Sequence, residues 1–105
     1  MHKEETAERR AVVYGQEDPR VMELHRAVSR LRRELAVYRA QLADREIAED
    51  ELAAVDAMVR EGVPEATRLR RSLLLVAGAI GSVSALAGAL AEVRDAVGLF
   101  GEPPR

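Results

Sequence analysis

Hydrophobic residues between positions 21 and 42 recur at alternating spacings of three and four, and most positions between them are polar. Such spacing predicts a helix with one apolar stripe, and its regularity over three heptads is typical of a coiled-coil seam. Asp18 and Pro19 form a helix start, because aspartate caps free amide hydrogens and proline fits the first turn. We therefore predict a helix over residues 19–43. The predicted coiled-coil seam consists of Val21, Leu24, Val28, Leu31, Leu35, Tyr38 and Leu42.

A second apolar stripe follows Asp44, which we predict to cap a helix over residues 45–61. Gly62 is suited to end that helix, and Pro64 is suited to begin the next one. Residues 44–62 carry seven acidic residues against two arginines, a local charge of −5. If the first two helices pair antiparallel, this acidic helix faces a basic one. The pairs expected are Arg30 and Arg33 with Glu49 or Asp56.

Every residue from Ser72 to Ala91 is uncharged, although charged residues make up 32% of the chain. We predict one long helix over residues 65–98 that contains this stretch, with bulky and small residues in two separate stripes. Glycine costs about 1 kcal/mol per site in a helix interior, so its presence calls for close helix–helix packing in return. We therefore predict that copies of the chain self-associate through this helix. The predicted self-association residues are Leu73, Val76, Gly78, Ile80, Gly81, Val83, Ala85, Gly88 and Leu90.

Two other interpretations of the uncharged stretch stay open. Twenty such residues span about 30 Å, the thickness of a bilayer core, and the arginines before them suit the cytoplasmic side. The alternative is thus a tail-anchored membrane protein with a transmembrane helix at about 72–91 and its N-terminus inside. A further alternative is a soluble form whose helix inserts later. We favour a homo-oligomer, a dimer before other stoichiometries, because the amphipathic pattern continues beyond the stretch through Val93 and Val97.

The composition narrows the functional classes. The 105 residues include no cysteine, no tryptophan and three aromatic residues, and the net charge is −2. The lack of cysteine excludes disulfides and thiolate chemistry, and the few aromatic residues argue against a nucleic-acid binder. The first ten residues have mixed charge and no apolar run, so we expect no secretory signal peptide and a cytoplasmic protein.

Candidate catalytic and metal-ligating groups are few. His25 has no second histidine one turn away, as a zinc pair requires, and the chain has no Glu-x-x-His motif for a di-metal site. The serines of the uncharged stretch have no histidine in register to activate them. Two arginine clusters could contact phosphate or anionic lipid, but the acidic second helix can neutralise them. These clusters are Arg26, Arg30 and Arg33, and Arg68, Arg70 and Arg71.

We therefore predict a protein that is not an enzyme, with no cofactor, no metal ion and no nucleic-acid partner. The run from Arg30 to Phe100, especially Arg68 to Leu86, and the closing residues 99–104 resemble a small actinomycete family of unknown function, known from Streptomyces-type genomes. The resemblance covers about the last two-thirds of the chain and agrees with its 15 arginines against one lysine. It implies no activity and no site residues.

Together these patterns predict an all-α fold, a helical hairpin or three-helix bundle with a long glycine- and alanine-rich C-terminal helix. We expect it to assemble as a homo-oligomer with coiled-coil-like packing. Residues 1–18 are expected to form a mobile arm, residues 19–100 a single helical domain, and residues 101–105 a polar tail. The predicted function is a non-enzymatic interaction or scaffold module. It would self-associate through the third helix, use the first helix for a coiled-coil contact, and bind a protein partner of unknown identity.

Overall fold

The structure is a computed structural model that describes residues 18–101. Those residues form four α-helices and no β-strand, which confirms the predicted all-α class. We name the helices α1 (Pro19–Val37), α2 (Arg45–Glu61), α3 (Ala66–Ile80) and α4 (Ala87–Gly101). A short 3-10 helix, Ser84–Leu86, directly precedes α4. The predicted arm before Asp18 and the tail after Gly101 lie outside the described residues.

The start of α1 follows the sequence prediction. Asp18 is extended, and its carboxylate accepts a hydrogen bond of 2.9 Å from the backbone N–H of Arg20, while Pro19 occupies the first turn. The Arg20 guanidinium also donates two hydrogen bonds to that carboxylate, and these are the main cause of the lowered pKa of Asp18. Asp44 stands at the start of α2 as predicted, but its side chain makes no capping hydrogen bond.

Each helix packs against two others in a closed cycle, α1 with α2, α2 with α3, α3 with α4, and α4 with α1. Arg20, near the start of α1, lies 4.9 Å from the ring centre of Phe100, near the end of α4. Arg30, nearer the end of α1, pairs at 2.6 Å with Glu92, nearer the start of α4. These two contacts make α1 and α4 antiparallel. The described residues therefore form an up-down-up-down bundle of four helices, not the predicted hairpin or three-helix bundle.

The core of this bundle is a single hydrophobic cluster to which all four helices contribute. The α1 seam supplies one side of the cluster, and the uncharged stretch supplies much of the other. Close packing of this kind stabilises the fold mainly by removing apolar surface from water. The largest side chains that are fully buried include Leu24, Leu31, Leu35, Leu52, Leu69, Ile80 and Leu86.

The end of α1 differs from the prediction, because the helix ends at Val37 and not at residue 43. Tyr38 is extended, and the Arg45 guanidinium reaches back from the start of α2. It donates hydrogen bonds to the carbonyl oxygens of Leu35 at 2.6 Å, Ala40 at 3.2 Å, and Tyr38. Carbonyl groups at a helix end lack their usual partners within the helix. The Leu35 carbonyl accepts from the backbone N–H of Tyr38 at 3.2 Å, and Arg45 adds a charged donor to it and to the carbonyl groups of Tyr38 and Ala40. Residues 38–44 are consequently a connection and not a continuation of the helix.

The single helix predicted over residues 65–98 is also wrong. α3 ends at Ile80, Gly81 and Ser82 form a turn, and Val83 is extended before the 3-10 helix. Glycine is a poor helix former and serine competes for backbone hydrogen bonds, so this part of the stretch favours a break. α4 then runs to Gly101, beyond the predicted end at residue 98 and into the predicted tail.

Removal of the Arg45 side chain tests its role at the end of α1. We expect Arg45→Ala to lower the free energy of unfolding by about 1–2 kcal/mol, because the carbonyl groups lose a charged donor. Urea unfolding followed by circular dichroism measures this change. The control is Arg39→Ala, an exposed arginine of the same connection, which should change stability by less than about 0.5 kcal/mol. Equal stability of the two variants would show that Arg45 does not hold this connection.

A pair of glycines tests the break in the uncharged stretch. A Cβ atom at Gly81 would meet the carbonyl oxygen of Ala77, whereas one at Gly98, inside α4, would have nothing within 4 Å. We therefore expect Gly81→Ala to destabilise the fold. Gly98→Ala should stabilise it by about 0.5–1 kcal/mol, because alanine is the better helix former. Thermal and urea unfolding compare the two, and a stabilising effect at both positions would rule out a special need for glycine in the turn.

Candidate interaction surface

The outer side of α3 exposes two adjacent leucines in the middle of the uncharged stretch. Leu74 is 72% exposed and Leu75 is 44% exposed. Gly78 is exposed one turn after Leu74 on the same side of the helix, with nothing within 4 Å of the position that a Cβ would occupy. Exposed Arg71 lies one turn before Leu74. We call these four residues the α3 face. It combines a projecting leucine with an open position beside it.

The α3 face exists because α3 is apolar on both of its sides. Leu69, Ser72, Val76 and Ile80 are buried and point to the core. Their spacing of three and four places the inner stripe on one side of the helix only. Since no residue from 72 onward in α3 is charged, the opposite side is apolar as well. The fold therefore buries one apolar side of α3 and leaves the other in solvent.

The predicted self-association residues divide into an inner and an outer group. The bulky members lie in the core or pack partly buried against it, and these are Leu73, Val76, Ile80, Val83 and Leu90. The small members are exposed, and these are Gly78, Gly81, Ala85 and Gly88. Gly81 lies in the turn, and a Cβ at Gly88 would lie 3.8 Å from Nη2 of Arg30. Of the predicted set, Gly78 alone belongs to the α3 face.

Leu74 and Leu75 are not among the residues predicted from the sequence. Both fall between the bulky stripe and the small stripe, so neither pattern selected them. The signal was nevertheless present, because three consecutive leucines at 73–75 cannot all face one side of a helix. A helix with a single buried side must expose at least one of them. The interpretation of the stretch as two stripes, one bulky and one small, did not include an exposed leucine between them.

The predicted coiled-coil seam lies inside the chain's own core. Its first five members are buried, and Tyr38 and Leu42 pack partly buried against the same cluster. α1, which carries the first five members, packs against α2, α4 and the 3-10 helix of the same bundle. The expectation that α1 uses this seam to contact another chain is therefore replaced by an intramolecular role.

Asp56 is the most buried charged side chain among residues 18–101, with 7% of its side chain exposed. It lies where α2 meets α1. Its carboxylate is 2.9 Å from Nη2 of Arg60, 3.4 Å from Nη1 of Arg32 and 3.3 Å from Nδ1 of His25. Three basic side chains thus surround one buried carboxylate, which links α1 to α2.

An ion pair does connect α1 with α2 as predicted, but through a different arginine. Asp56 contacts Arg32 and not Arg30 or Arg33. Arg30 instead pairs with Glu34 at 2.8 Å and with Glu92 of α4 at 2.6 Å. The two carboxylates, Glu34 first, raise the pKa of the Arg30 guanidinium. The reason is the rotation of α1, which turns the side of Arg32 toward α2 and the side of Arg30 toward α4.

Other candidate chemistry is limited in the part of the chain that the structure describes. No group of three or more histidine, aspartate or glutamate side chains is placed there to hold a metal ion. A shallow concavity over the α1–α2 connection is lined by residues 39–43, 45 and 46. Arg45, its main cation, already donates to backbone carbonyl groups. None of the helices within residues 18–101 has both the length and the apolar character needed to cross a bilayer.

Neutralising Asp56 tests its place between α1 and α2. We expect Asp56→Asn to lower the free energy of unfolding by about 1–3 kcal/mol, because the guanidinium groups of Arg32 and Arg60 lose the carboxylate that they share. Glu49→Gln is the matched control, since Glu49 is exposed and lies 3.9 Å from its partner Arg45. That change should cost less than about 0.5 kcal/mol. Chemical denaturation of both variants measures these changes. A similar loss of unfolding free energy in the two variants would mean that Asp56 acts as an ordinary surface charge.

Comparison with known proteins adds a family but no activity. A family model described as a family of unknown function, DUF5955, matches residues 14–101. The match covers most of the chain and confirms the part of the predicted resemblance that concerns an uncharacterised family. The actinomycete origin stays a prediction. No curated protein and no solved structure matches the chain.

Proposed function

We propose that this chain, which belongs to the DUF5955 family, is a non-enzymatic helical module that acts through protein–protein contact and self-associates through the α3 face. The observation that carries the proposal is the exposure of Leu74 and Leu75, 72% and 44%, as neighbours on one helix. Full burial of a leucine side chain is worth about 1.5–3 kcal/mol relative to exposure. Burial of both leucines against a partner therefore contributes substantially to the free energy of association.

The distribution of the other exposed apolar side chains supports the choice of this face. Single exposed hydrophobic residues are normal on protein surfaces, whereas clustered ones mark contact sites. The remaining large hydrophobic residues that are exposed lie on other helices or in loops, and no two of them are consecutive in sequence. They are Met22, Val37, Ile47, Val63 and Leu99. Leu74 and Leu75 are the exception, because they are consecutive and have Gly78 beside them.

The non-enzymatic part of the proposal rests on how the polar groups are used. Asp56, Arg45 and Arg30 each contact groups on another segment or helix of the same chain. Their positions are thus accounted for by the stability of the bundle. A protein partner of another kind and a cytoplasmic location stay predictions.

A charged substitution on the α3 face tests the proposal. We expect the purified full-length chain to be a dimer by light scattering after size exclusion, and Leu74→Glu to be a monomer with unchanged helix content. The side chain is mostly solvated in the single chain, so the substitution should spare the fold. Leu99→Glu is the matched control, because Leu99 is an exposed leucine of α4, and it should stay dimeric. A wild-type monomer at every concentration tested, or a dimer insensitive to Leu74→Glu, would refute the proposal.

A further inference from the structure

We infer that the partner on the α3 face is a second copy in antiparallel orientation, with the basic start of α3 in each copy lying over the acidic start of α2 in the other. The inference rests on the proposed self-association and adds its geometry. It concerns the outer surface of the α2–α3 pair, from Arg68 along α3 to Gly78 and the turn at Gly81, and from Glu46 to Glu51 along α2.

The two ends of this surface carry opposite charge. Arg68 and Arg71 are exposed near the start of α3, and neither forms an ion pair with another described residue. Glu46 and Asp50 are exposed near the start of α2, likewise without an ion pair among residues 18–101. These groups contrast with Asp56 and Arg30, which are paired within the chain. Each end therefore has charge available for a partner.

The ends are too far apart to neutralise each other within one copy. α2 and α3 pack side by side and are joined by the short connection 62–65, so the start of α2 lies beside the end of α3. Ten residues separate Arg71 from Gly81 at that end, which is about 15 Å along a helix. An antiparallel second copy reverses the direction of the surface. It places the basic end of each copy over the acidic end of the other.

The middle of the surface fits the same orientation. Leu74 projects into solvent, and Gly78, one turn later, leaves open space above the backbone. A two-fold axis midway between these residues places each Leu74 over Gly78 of the partner subunit. The same patch thus serves both copies, as two-fold contacts require. A parallel pairing would instead set Arg71 against Arg71 and Leu74 against Leu74, with repulsion between like charges.

Charge reversal with restoration tests the charged ends. We expect Arg68→Glu/Arg71→Glu and Glu46→Arg/Asp50→Arg each to weaken self-association at least about tenfold at low salt, because each creates like charges at both ends. An equimolar mixture of the two variants should associate about as tightly as the wild type, because every contact again joins opposite charges. Sedimentation velocity over a concentration series gives the dissociation constants, and circular dichroism verifies helix content.

The outcomes separate this inference from the proposed function. The control Arg33→Glu/Arg94→Glu reverses two exposed arginines on α1 and α4 and should leave the dissociation constant within about threefold. A dimer that tolerates both face reversals, or a mixture that fails to restore association, overturns the antiparallel arrangement while self-association stands. A wild-type monomer overturns both.

Disulfide trapping gives an independent reading of orientation, since the chain has no native cysteine. A disulfide needs Cα atoms within about 7 Å. We expect a mixture of Leu74→Cys and Gly78→Cys copies to cross-link between the two variants faster than either variant cross-links alone. Faster cross-linking within the Leu74→Cys variant, as a parallel pair would give, overturns the inference.

Discussion

The chain leaves the helical path between Gly81 and Val83, and the two halves of the uncharged stretch therefore lie against each other, with the second half also packed against α1. This reversal is possible because Gly81 has no side chain where the backbone approaches the carbonyl oxygen of Ala77. Without the reversal, the residues after Gly81 would continue along the axis of α3. Their apolar side chains would then lie away from the core formed with α1 and α2. With the reversal, Leu86 and Leu90 of the second half, and Val93 and Val97 beyond the stretch in α4, are buried in the same cluster as the predicted coiled-coil seam.

Charged groups then hold the neighbouring helices in register. Asp56 gathers His25, Arg32 and Arg60 at the contact between α1 and α2, and Arg30 joins α1 to Glu92 of α4. Arg45 and Arg70 act differently, because their guanidinium groups donate to backbone carbonyl oxygens at the ends of α1 and α4. The arginine-rich composition thus serves two purposes. Some arginines pair with carboxylates between helices, and others donate to backbone carbonyl oxygens at helix ends.

The surface left over by this packing explains the form of the proposed assembly. α3 has apolar residues on both sides, and a bundle of four helices covers only the inner one. Leu74, Leu75 and Gly78 therefore remain in solvent in a single copy, between a basic end and an acidic end. In the proposed dimer, apolar contact in the middle would supply affinity, whereas the charges at the two ends would select an orientation.

Local pattern by itself determined that the chain is helical, where α1 and α2 begin, and which residues of α1 are buried. These features depend on helical periodicity and capping, which act over a few neighbouring residues. The end of α1 and the break after Ile80 depended on distant groups. Arg45 must fold back onto α1, and the second half of the uncharged stretch must find α1 to pack against.

The α3 face, too, was predicted from the sequence only in part. The sequence indicated that the uncharged stretch has more apolar surface than one core needs, and it singled out Gly78. Only the tertiary structure decided that Val76 and Ile80 face inward while Leu74 and Leu75 face outward. The physical reason is that periodicity specifies which residues share a side of a helix. Which side is buried depends on the rotation of that helix against its neighbours, and this is decided by packing of the whole bundle.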